Sequence, residues 1–89
     1  MNRKYVLTRR FEQDVARLQK QEASQAKKAL DLYFKNPLRP SLHFKRIQGT
    51  ANLYEMRVNL SLRIVVEIVR KEEVEIHHLL TLGTHDRVF

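Results

Sequence analysis

Eighty-nine residues carry 17 Lys and Arg against 10 Asp and Glu, and the resulting net charge of +7 favours polyanionic partners, nucleic acid first and an acidic protein second. A chain of this length builds a thin core, so a shallow surface groove is expected in place of a deep pocket, within one domain spanning residues 1–89. The lack of cysteine excludes disulfides, thiolate nucleophiles and zinc–thiolate sites, and no segment has the length of a signal peptide or membrane span, which makes a cytoplasmic protein the expectation.

Tyr5 to Thr8 reads as a short strand, followed by Phe11, Val15 and Leu18 at helical spacing. Thr8 suits the N-cap of that helix, with Glu12 near the positive end of its dipole. Gln19 to Glu22 reads as a break. A second helix is predicted over Ala23 to Phe34 from Ala26, Ala29, Leu30, Tyr33 and Phe34, and the two helices are expected to form a hairpin. Asn36-Pro37 ends the second helix because the residue before proline avoids helical angles. Leu38 to Leu42 is a linker. Strands are then predicted near Phe44–Ile47, Leu53–Asn59, Leu62–Arg70 and Glu73–Leu82, the last three joined by short turns at Asn59–Ser61 and Arg70–Glu72 and therefore antiparallel. The expected fold class is α+β: two N-terminal helices on one face of a small, mainly antiparallel sheet of four or five strands.

Period-two alternation sets Tyr54, Met56, Val58, Ile64, Val66 and Ile68 toward the helices. The opposite face receives Glu55, Arg57, Asn59, Arg63, Glu67 and His77, while His78 shares the parity of Val74, Ile76, Leu80 and Leu82 and is expected in the core. RNA chain cleavage needs a base for the 2′-hydroxyl, an acid for the departing 5′-oxygen and positive charge on the phosphorane between them. Arg57 and Arg63 are fixed cations with forks that suit phosphate, and His85 has an imidazole able to exchange a proton near neutral pH. Glu55 and Glu67 are alternative bases, or simply cross-strand partners of the two arginines. Lys45 and Arg46 are placed to track a nucleic-acid backbone, joined by Arg87 and by Phe89 as a stacking ring. The four histidines, His43, His77, His78 and His85, lack metal-ligand spacing, and with only Gly49 and Gly83 there is no glycine-rich phosphate loop, so no metal and no small-molecule cofactor are expected.

Taken in order, Phe11-x-x-Asp14-Val15-x-x-Leu18, Asn36-Pro37, Ile47-x-Gly49, Tyr54-x-x-Arg57, Arg63-Ile64-Val65-Val66 and Leu82-Gly83-Thr84-His85-x-x-x-Phe89 resemble the RelE/ParE superfamily of toxins from type II toxin–antitoxin modules, over essentially the whole chain. Within it the chain looks most like YafQ-like ribonucleases. The resemblance implies a ribosome-dependent endoribonuclease that cuts mRNA and blocks translation, with Arg57, Arg63 and His85 at positions matching the family's functional sites and Phe89 at its closing aromatic. It also implies a cognate antitoxin partner. The YafQ-like pattern carries further histidines and an acid on the middle strands, where this chain has Lys45, Val58 and Leu62, and the general base stays open between His85 and the glutamates. Two alternatives remain: a ParE-like inhibitor of DNA gyrase, and a non-catalytic basic module that binds RNA or the ribosome.

Overall fold

The computed structural model describes residues 2–84. Strand β1 (Asn2–Leu7) leads to helix α1 (Arg9–Ala16), helix α2 (Lys20–Lys35), a 3-10 turn (Pro40–Leu42) and strands β2 (Lys45–Arg46), β3 (Leu53–Arg57), β4 (Leu62–Lys71) and β5 (Val74–Thr84). The strands form one sheet in the order β1-β5-β4-β3-β2; β1 runs parallel to β5 and every other pair is antiparallel. The expected class, α+β with a mainly antiparallel sheet, is the one observed.

Local chemistry explains the boundaries. Thr8 caps α1 by accepting from the Phe11 N–H at 3.2 Å. The stretch expected as a break is instead the start of α2: Gln19 is its N-cap, and Glu22 reaches back to accept the Gln19 N–H at 3.1 Å, a capping box. At the other end Asn36 has extended angles before Pro37, and its side chain accepts the Leu38 N–H at 3.1 Å. Gly49 turns the chain between β2 and β3 at φ 84, where a side chain is strained, and this is the conformational reason for glycine in Ile47-x-Gly49.

Met56, Ile64 and Val66 from the sheet meet Phe11, Ala26, Ala29 and Tyr33 from the helices in one core, to which the 3-10 turn adds Leu42. Each fully buried aliphatic side chain there stabilises the fold by roughly 1.5–3 kcal/mol. The alternation expected for β3 and β4 places Met56, Ile64 and Val66 as predicted, although Val65, on the other face, is also buried.

For β5 the expected faces are reversed before Leu80, whereas Leu82, beyond it, is buried as expected. His77 is 1% exposed and His78 is partly exposed, and Leu79 is buried while Val74, Ile76 and Leu80 are only partly covered. The cause is a bulge: Val65 pairs with Thr81 but Val66 pairs with Leu79, so Leu80 is an extra residue that inverts the parity of everything before it. Helix α1 clasps this irregularity. The Thr8 hydroxyl donates to the carbonyls of Leu79 at 2.8 Å and Leu80 at 3.1 Å, and the Asp14 carboxylate accepts the Thr81 hydroxyl at 2.6 Å and the Leu82 N–H at 3.0 Å. Backbone groups displaced from the ladder are thereby satisfied from the helix.

Candidate functional site

Arg57 on β3 and Arg63 on β4 are direct cross-strand neighbours, and Lys45 on β2 stands opposite Glu55 on β3. With His43 and Phe44 they line a cleft of about 210 Å³. Two like charges placed opposite each other cost the sheet roughly 0.2–1 kcal/mol, so the arginine pair is not explained by folding. Glu55, the expected partner of an arginine, pairs instead with Lys45 at 3.6 Å. Arg63 turns back on its own hairpin, where Nη1 donates to the carbonyls of Asn59 at 2.8 Å, Leu60 at 3.2 Å and Leu62 at 3.1 Å. These bonds orient the guanidinium without neutralising it. The Nε of Arg57 is buried and finds no acceptor among the described residues. An orphaned N–H in a cleft with three cations and one carboxylate is suited to an anionic oxygen.

His43 was assigned no role from the sequence, yet it lines this cleft and adopts the left-handed conformation at φ 49, uncommon for a non-glycine residue. Its placement follows from the end of the 3-10 turn, a geometry with no signature in composition. Glu67 and His78 meet elsewhere on the sheet, with Nδ1 of His78 3.5 Å from Oε1 of Glu67. Thus His78, partly exposed, takes the side of the sheet expected for His77. The expectations for His85, Arg87 and Phe89 fall outside the described residues.

Arg46 does not enter the arginine cleft. It is opposite Tyr54, on the side of β2 facing away from Glu55, and lines a second cleft of about 390 Å³ with Arg3, Phe44, Lys45, Tyr54, Arg70, Glu75 and His77 among its walls. Here the polar groups are closely engaged. His77 Nε2 lies 2.7 Å from Glu75 Oε1, and His77 Nδ1 is in contact with the Tyr33 hydroxyl. A neutral imidazole that donates from Nε2 to the carboxylate and accepts at Nδ1 from the phenol satisfies both bonds. Arg70 Nε donates to Glu75 Oε2 at 3.1 Å, and Arg3 Nε stands 3.7 Å from Oε1. The hydrogen bond from His77, followed by that from Arg70, holds the Glu75 carboxyl below its ordinary range against the opposing effect of burial. Burial, reinforced by the neighbouring Tyr5 and Glu75, pushes the Tyr33 phenol far above its ordinary value, so it remains a neutral donor.

A two-helix, five-stranded sheet with these connections is the architecture of RelE/ParE-type toxins. YafQ from E. coli superposes with a TM-score of 0.78 at 18% identity, covering 99% of each chain. The same score and identity are found for the E. coli DinJ-YafQ toxin-antitoxin complex, over 100% of this chain and 99% of that one. The YoeB/ParE toxin from Agrobacterium tumefaciens has a TM-score of 0.72 at 14% identity, covering 92% of this chain and 98% of its own. The chain therefore has the fold shared by these toxins. No family model and no curated protein matches its sequence. Among the described residues, no helix is long and apolar enough to cross a membrane.

Proposed function

We propose that this chain is the toxin of a toxin–antitoxin pair, acting in the cytoplasm as an endoribonuclease that enters the ribosome and cleaves mRNA. The observation that carries the reading is the opposed pair Arg57 and Arg63, with a buried Nε on Arg57 that has no acceptor among the described residues. Like charges held face to face await an anion, and a phosphodiester in transition to a phosphorane gains more from them than the ground state does. The 2′-oxygen attacks phosphorus in line and the 5′-oxygen leaves, giving a 2′,3′-cyclic phosphate and a 5′-hydroxyl. His85 and Glu55 divide proton removal from the 2′-hydroxyl and proton delivery to the 5′-oxygen, while Lys45 and Arg63 hold the strand. Arg46, Arg87 and Phe89 extend the contact along the RNA. The fold shared with YafQ and with the toxin of the DinJ-YafQ complex supports the assignment, as does a net charge of +7. It also supports a cognate antitoxin whose acidic segment covers the basic cleft.

Because the YoeB/ParE toxin shares the fold, architecture alone does not choose the target. Transcript ends sequenced from cells expressing the protein should fall in register with reading frames, and His85→Ala should abolish both the cuts and growth arrest while leaving antitoxin binding intact. Trapped plasmid in a gyrase supercoiling assay, with transcripts uncut, would replace the nuclease reading with gyrase inhibition.

A further inference from the structure

The larger cleft is separate from the arginine pair, but the two share Phe44 and Lys45 at the β2 edge of the sheet. Alternation explains the sharing: Lys45 stands opposite Glu55 on one side of β2, and Arg46 stands opposite Tyr54 on the other. A strand of RNA held in the small cleft needs only to pass over this two-residue edge to reach the large one. Among the described residues, four cationic side chains, Arg3, Lys45, Arg46 and Arg70, line the large cleft against a single carboxylate. That carboxylate, Glu75, is already engaged by His77, Arg70 and Arg3. Both arginines approach it through Nε, Arg70 at 3.1 Å and Arg3 at 3.7 Å. Arg70 and Lys45 keep side-chain exposures of 69% and 70%. The apolar wall is aromatic: Phe44 and Tyr54 stack with centroids 5.2 Å apart and planes 1° from parallel. A volume of about 390 Å³ is adequate for one nucleotide and too small for a folded element.

We infer that this second cleft is a subsite for a single unpaired nucleotide flanking the cleaved bond, its base against the Phe44–Tyr54 ring pair and its phosphate between Arg46 and Arg70. Stacking on an aromatic wall tolerates any base, and the adjacent cations track the backbone. An acidic peptide would use the cations but gain nothing from a parallel ring pair, which is why the observations favour nucleic acid. The inference rests on the nuclease reading for its place beside the cut, whereas the binding itself is measurable without cleavage.

The test is titration of the isotopically labelled full chain with an all-2′-deoxy trinucleotide, which cannot be cut by 2′-hydroxyl attack, followed by NMR. Signals of Ile68 and Leu38, which line only the large cleft, should move on binding. Tyr54→Leu should weaken the response roughly tenfold, the size expected for losing one base–aromatic stack, and Arg70→Ala by about fivefold. Shifts confined to Glu55, Arg57 and Arg63 would overturn the inference, as would a hepta-glutamate peptide moving Ile68 when the trinucleotide does not. Both clefts responding while ribosomal transcripts stay intact would sustain nucleotide binding and refute the nuclease reading, so the two failures are distinguishable.

Discussion

The two clefts that meet at β2 solve opposite problems. In the large one the carboxylate and the imidazole are both engaged: Glu75 is surrounded by His77, Arg70 and Arg3, and His77 has a partner at each nitrogen. In the small one, two arginines face each other and one buried N–H has no acceptor among the described residues. A satisfied network rigidifies the fold, and an unsatisfied one holds interaction energy in reserve for a ligand. Substitutions in the two places should therefore separate stability from activity.

The largest separation is expected at Arg57. Arg57→Ala should lower single-turnover cleavage about 100-fold, equivalent to about 2.7 kcal/mol of transition-state stabilisation, while the urea midpoint scarcely changes. A variant that cleaves normally would break the contrast. The complementary change is Tyr33→Phe, which leaves the Nδ1 acceptor of buried His77 without its donor. It should cost about 2 kcal/mol in urea unfolding with cleavage retained; unchanged stability would mean that the phenol contributes nothing to the large cleft. Thr8→Ala should follow at about 1 kcal/mol, because it removes both the helix cap and the bonds to the bulge that turns His77 inward. Hydrogen exchange would sharpen this by showing faster exchange near Leu79 and Leu82 than in β3.

The smallest effect is a pH slope. The Glu75 carboxyl titrates below its ordinary value of 4.5 in the folded chain, so the unfolded chain binds the proton first as pH falls. The stability it contributes is fully present well above pH 4.5 and is lost as pH drops through the lower, folded value. Glu75→Gln should flatten this part of the urea-midpoint profile, and an unaltered acid slope would remove Glu75 from the account.

How much of this was legible depended on whether the deciding contacts were local. β3 and β4 run without interruption where they pair, so alternation alone put Met56, Ile64 and Val66 in the core and Glu55, Arg57 and Arg63 away from it. β5 misled because its bulge is fastened by Thr8 and Asp14, some seventy positions earlier in the chain, and no window of sequence contains both partners. The start of α2 was legible in principle, since Glu22 three residues after Gln19 is a capping signal that outweighs the polar run around it. The large cleft was not, because Arg3 and Glu75 come from opposite ends of the chain and meet only through the parallel pairing of β1 with β5.

That pairing also governs when the molecule can be completed. β1 precedes its ladder partners, Val74 to Leu79, by some seventy positions, so during synthesis it waits unfastened until they are produced. The β2–β3–β4 hairpins close over short loops in the meantime, whereas the long loop joining β1 to its neighbour closes late. A nascent chain that stops short of Val74 therefore holds Arg57 and Arg63 but lacks Glu75 and His77, which complete the wall of the large cleft.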